Sequence, residues 1–179
     1  MPDLHPLIIQ LKFTRSEFKR GLQRLTAEDA CKRILPMNCI SWNVGHLAWQ
    51  EQRYFLYFAQ GLMPYPEIQA AYAYGAPAST PPLAEVLKYW KKITRAADPW
   101  LESLTSEKLQ EKYVRKDKPQ QGTSYGNLLQ RMIYHYWYHT GENLAIRQML
   151  GHSHLPVFVG NIDHQAPYTP DLTMDKDSV

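Results

Sequence analysis

The stretch SYGNLLQRMIYHYWYHTGENLAIRQMLG, Ser124 to Gly151, decides how this chain is read. Its stripe residues are Tyr125, Leu128, Met132, His135, His139, Glu142, Ile146 and Met149, spaced by threes and fours throughout. That period places them on one face of a helix running from near Ser124 to Gly151. Two histidines and a glutamate therefore occupy a row where the pattern calls for apolar residues. An imidazole or carboxylate buried without a partner costs on the order of several kcal/mol, so this row requires partners.

Working outward, Leu83, Val86, Trp90, Ile93, Ala97, Trp100 and Leu104 alternate steps of three and four, which predicts a third helix. Thr80-Pro81-Pro82 is a suitable start for it, and Asp98-Pro99 is expected to kink or restart it. Residues 61–80, with Pro64, Pro66, Gly75 and Pro77, form a long connection of the kind that often carries function. Before it, a second helix runs from Asn38 or Ser41 to about Gln60, where Gly61 stops it. Ile40, Trp42, Val44, Leu47, Trp49, Tyr54, Phe55 and Phe58 make that helix apolar over much of its girth, hence well buried. The first helix carries Leu4, Ile8, Leu11, Phe18, Leu22 and Leu25, with Arg15 interrupting the stripe. Thr26 to Asp29 reads as a capping box opening a short turn of helix that ends near Pro36. No segment shows a convincing period-two strand pattern. The expected fold is all-α, an antiparallel four-helix bundle over residues 1–155 with a long connection between helices two and three. Residues 156–179 are expected to form an irregular C-terminal extension, closing in a frayed polar tail from Asp171.

The composition agrees with one globular domain: 179 residues, 44% hydrophobic and 21% charged. A net charge of +3, with acids and bases mixed along the chain, argues against a nucleic-acid surface, which concentrates lysine and arginine on one face. No window approaches the roughly 20 apolar residues of a membrane span, and the N-terminus lacks the character of a signal peptide. Two cysteines, Cys31 and Cys39, point to reduced thiols rather than a disulfide framework, and the expected location is the cytoplasm.

His135 and His139, one helical turn apart, can grip one metal ion. His46, in Trp42-Asn43-Val44-Gly45-His46, can reach the same ion across the core, with Gly45 permitting a close approach. A single core histidine is more often hydrogen-bonded and structural than a ligand, so the residues alone leave both readings open. The pair is not a zincin motif, because no glutamate follows His135.

His46 within Trp42-Asn43-Val44-Gly45-His46-Leu47-Ala48-Trp49, followed by His135-x-x-x-His139 on the last helix, resembles the DinB/YfiT-like superfamily over about residues 1–155. The resemblance implies a four-helix bundle, commonly dimeric, with a three-histidine metal site whose ligands fall on His46, His135 and His139. It also implies a metal-dependent enzyme: relatives of known activity mostly join a low-molecular-weight thiol to an electrophile, and others are isomerases or hydrolases. The related bundles of ergothioneine synthesis carry a second catalytic domain, for which this chain has no room.

Three imidazoles leave a divalent ion an open coordination position, which suits catalysis better than a structural site. Zinc or nickel are the first candidates, with iron or manganese next. Glu142 is a candidate to orient His139 or to accept a proton, the alternative being a salt bridge to Arg147 or to another helix. Gln50, one turn after His46, and Tyr72, on the 61–80 connection with Tyr65 and Tyr74, are candidate substrate contacts. The expected partners are a small-molecule substrate and a second copy of the chain, with no nucleic acid or membrane. A thiol transferase, a hydrolase using water at the same ion, and a helical interaction module whose histidines are plain core groups are the three readings carried forward.

Overall fold

Periodic apolar stripes become helices here because only helix-on-helix packing buries them. The computed structural model describes residues 4–115 and 118–168, and no side chain from 114 to 121. In chain order the elements are α1 (Pro6–Gly21), α2 (Ala27–Cys31), α3 (Ile40–Glu51), which continues as a π-helical stretch (Gln52–Phe58), α4 (Glu67–Tyr72), α5 (Leu83–Glu102) and α6 (Ser106–Gln110). A hairpin of β1 (Lys112–Arg115) and β2 (Lys118–Ser124), then α7 (Tyr125–Met149) and α8 (Ile162–Gln165), complete the fold. The four long helices α1, α3, α5 and α7 form an all-α bundle around Leu11, Phe18, Leu47, Phe55, Ile93, Leu101, Leu129 and Tyr136.

Side-chain pairings give the helix directions. Phe13 meets Trp137 with ring centroids 6.4 Å apart, and Arg147 donates to the Gly21 carbonyl at 2.6 Å, so α1 and α7 run the same way. Cys39 lies 3.3 Å from the Ser79 carbonyl and Phe55 stacks on Trp100 at 6.2 Å, so α3 and α5 also run together. Asn43 pairs with Asn143, and His46 with His139, which sets α3 antiparallel to α7. The bundle is thus two parallel pairs packed antiparallel to one another. Parallel neighbours need a connection that returns the full length of a helix, which is why residues 61–80 are long. Gln52 ties that connection down, accepting from the Tyr65 amide at 3.0 Å and donating to its carbonyl at 2.9 Å.

Several local expectations are refined. The second helix ends as an α-helix at Glu51 and goes on with π geometry to Phe58, before Gly61 takes a left-handed φ of +74°. The third runs unbroken through Pro99 to Glu102, and Asp98 caps no new helix: its carboxylate accepts from Arg15 at 2.6 Å. The turn after Thr26 is capped as expected, with the Asp29 amide 3.0 Å from the Thr26 hydroxyl, but it ends at Cys31. The hairpin has no counterpart in the sequence reading. Its strands pair Lys112 with Ser124 and Tyr113 with Thr123 and are irregular between Tyr113 and Arg115. One is too short to display a period and the other contains proline and glycine, so backbone pairing rather than side-chain pattern makes them strands. The extension after Pro156 packs on α1, where Gly160 donates to Glu17 at 2.9 Å and Gln10 donates to the Ala166 carbonyl at 2.9 Å. The expected frayed tail from Asp171 lies outside the described residues.

Arg15, the interruption in the first stripe, is only 6% exposed. Its guanidinium forks onto fully buried Glu51, with Nε to Oε1 at 2.7 Å and a second bond to Oε2. Tyr136 donates to the same Glu51 oxygen at 2.7 Å, and the Trp90 indole donates to the Tyr136 hydroxyl at 2.6 Å. Burial opposes the Arg15 charge, and the Glu51 carboxylate more than offsets it, holding the guanidinium protonated.

Candidate metal centre

The buried face of α3 and the middle of α7 bring His46, His135 and His139 into one cluster. One nitrogen from each ring lies within 4.8 Å of the others. Nitrogens about 2.1 Å from a shared ion in tetrahedral geometry stand about 3.4 Å apart, so the widest pair needs to close by at most ~1.4 Å to share one. Ring centroids are 4.9 Å apart for His46 and His135, 5.3 Å for His46 and His139, and 4.7 Å for His135 and His139.

Hydrogen bonds select the tautomers. His46 Nδ1 is 2.6 Å from the Tyr72 carbonyl, which only accepts, so Nδ1 carries the proton and Nε2 keeps a lone pair. His139 Nδ1 is 2.7 Å from Glu142 Oε2, so Nδ1 carries a proton and Nε2 is the nitrogen turned into the cluster. That Nε2 faces His135 Nε2 at 3.0 Å. Among the described residues nothing but the cluster itself meets the polar atoms of His135. His46 and His139 are each 7% exposed and His135 is half-buried. Burial pushes His46 down to about 4. Burial, with His139 and His46 close by, pushes His135 down to about 3. Both rings are therefore neutral near pH 7, the form that binds metal. Three imidazoles converging from two helices fit a divalent transition metal.

Around these rings the chain supplies the supports. Trp42 stacks on His46, centroids 5.0 Å apart and planes 12° apart, and Trp49 flanks it at 5.3 Å. Asn43 donates its side-chain amide to Glu142 Oε2 at 3.0 Å. The approach that Gly45 permits is made by the Tyr72 ring rather than by a helix of the bundle: a Cβ at Gly45 would sit 2.8 Å from that ring. Tyr72 thus borders the cluster through its carbonyl while its ring covers Gly45. Gln50 is buried on the His46 stripe, and its amide nitrogen has no hydrogen-bond partner among the described residues. Glu142 turns to His139, while Arg147 instead reaches the Gly21 carbonyl and His152. Tyr65 packs on Tyr89 at 5.3 Å and Tyr74 is exposed.

Asn43 and the Tyr72 carbonyl are the supports that sequence reading missed. Asn43 carries a signal, since it precedes His46 by three and lies on its stripe; a main-chain carbonyl carries none.

A model of the DinB superfamily matches residues 10–142, most of the chain, including all three histidines and Glu142. The chain belongs to the DinB superfamily. A crystal structure described as a conserved protein from Enterococcus faecalis is similar in fold to this DinB chain, with a TM-score of 0.55 at 15% identity. The likeness covers 82% of this chain and 96% of that one, and at such identity it speaks for the fold alone. No curated protein matches at a significant level. Among the described residues no helix is long and apolar enough to cross a membrane.

Proposed function

We propose that this DinB protein is a metal-dependent enzyme that transfers a low-molecular-weight thiol to an electrophilic small molecule. The observation that carries the reading is the convergence of one imidazole nitrogen from each of His46 on α3 and His135 and His139 on α7, with the Nδ1 protons of two of these rings held outward by the Tyr72 carbonyl and by Glu142. Family membership adds to it. His46, His135 and His139 are the residues that would hold the ion, zinc or nickel in the first instance. When bound, a divalent ion on three neutral ligands supplies Lewis acidity that favours the anion of a thiol near neutral pH. Glu142 orients His139 and, being half-buried, is placed to pass a proton to solvent. Trp42 and Trp49 shield His46 from water on either side. Gln50 offers an unused donor one turn from His46 for a substrate that opens the pocket to it.

The test is metal analysis of protein purified without a histidine tag, followed by an assay of electrophile loss, with a haloaromatic or an epoxide, in the presence and absence of thiol. The expected outcome is about one equivalent of transition metal and turnover that needs both metal and thiol. Metal-dependent turnover without thiol would move the assignment to a hydrolase. Less than about half an equivalent after reconstitution would leave a helical interaction module.

A further inference from the structure

Asn43 is fully buried on α3, one turn before His46. Its Nδ2 donates twice across the bundle, to Glu142 Oε2 at 3.0 Å and to Asn143 Oδ1 at 2.9 Å. Because both acceptors are oxygens, the amide must present its nitrogen, so the orientation is set by the network. The same Glu142 oxygen takes the His139 Nδ1 hydrogen at 2.7 Å. Glu142 has three rotatable bonds and partial exposure, and left to itself its carboxylate would exchange His139 for water. The hydrogen bond from Asn43 holds the oxygen where His139 needs it. It also joins the helix that carries His46 to the helix that carries His135 and His139.

We propose that Asn43 is a positioning residue of the metal centre, acting through Glu142 to fix the tautomer and aim of His139. The inference rests on the proposed metal-binding reading. Groups that orient a ligating histidine typically change metal affinity by about 10- to 100-fold when removed, and Asn43 stands one step further back.

A double-mutant cycle on metal affinity tests it, with Co(II) as the probe, read by its visible absorption and by competition with a chromophoric chelator. Asn43→Ala is expected to weaken Co(II) binding about tenfold in the otherwise natural chain and by less than about twofold in the Glu142→Ala background. A general packing defect would weaken binding equally in both backgrounds, and that result overturns the proposal, as does unchanged affinity of Asn43→Ala. Thermal melts accompany each variant. Should Asn43→Ala fail to fold, Asn43→Ser takes its place in the cycle, since a serine hydroxyl is satisfied by its own helix. A natural chain that takes up no Co(II) overturns the metal-binding reading itself. Natural uptake without coupling between Asn43 and Glu142 overturns only the role given to Asn43.

Discussion

Two buried polar clusters cross this bundle, one closed and one open. In the closed one, Arg15 from α1, Glu51 from α3, Trp90 and Asp98 from α5 and Tyr136 from α7 pair donor with acceptor and cation with anion. It asks for nothing beyond the chain. In the open one, His46, His135 and His139 each turn a nitrogen toward the same space, and outer hydrogen bonds hold the protons of two of them on the far side of the ring. Imidazole nitrogens gathered in that way are satisfied together by a cation from outside. The difference lies in the sign of what converges, because a fold can afford buried polar groups on either plan. Complementary charges make a structural tie, while like acceptors make a binding site.

The largest break in this comparison comes from His139→Ala, which removes one ligand and the group Glu142 supports. Stoichiometric metal and all thiol-dependent turnover are expected to disappear, as read by metal analysis and assay, with the metal-free fold retained in circular dichroism. Glu51→Ala strikes the closed cluster and leaves a buried guanidinium unpaired. Urea denaturation is expected to show a loss of about 3–5 kcal/mol in stability. Gly45→Ala comes next, because the new methyl meets the Tyr72 ring in a space already filled. A stability loss of about 1–3 kcal/mol is expected from overpacking, together with weaker metal binding as the Tyr72 carbonyl moves off His46.

The last effect concerns pH and sharpens the contrast without removing a side chain from either cluster. Burial holds His46 at about 4 in the folded chain, against 6.5 ordinarily. His135 is held at about 3. As pH falls below 6.5 the unfolded chain takes up protons before the folded one does, so the stabilising effect of neutral rings is full above 6.5 and is lost progressively toward 3. Metal-free protein is expected to melt at lower temperatures over that window. His46→Gln is expected to flatten the slope, and an unchanged slope in calorimetry would contradict the buried, neutral state of this ring.

What was legible in the sequence was what lies within one helix. The threes and fours of α5 and α7 repeat over local turns, so hydrophobic burial alone makes them helices, and the same geometry put His135, His139 and Glu142 in a row. The departures were equally local to see, with Arg15 breaking one stripe and the histidines another. Why each was tolerated was hidden, because the partners lie far along the chain. Glu51 answers Arg15 and Asn43 answers Glu142 only once α3 is set against α1 and α7 in one register.

The sequence by itself therefore determined the four long helices, the all-α class and which histidines were candidates, since these follow from short-range periodicity and side-chain chemistry. Tertiary structure alone decided that the bundle is two parallel pairs, that the 61–80 connection returns to lay the Tyr72 carbonyl on His46, and that one polar cluster closes while the other stays open. The physical reason is that a hydrogen bond is satisfied by position rather than by residue type. Every residue has a carbonyl, and only packing selects the one that meets an imidazole.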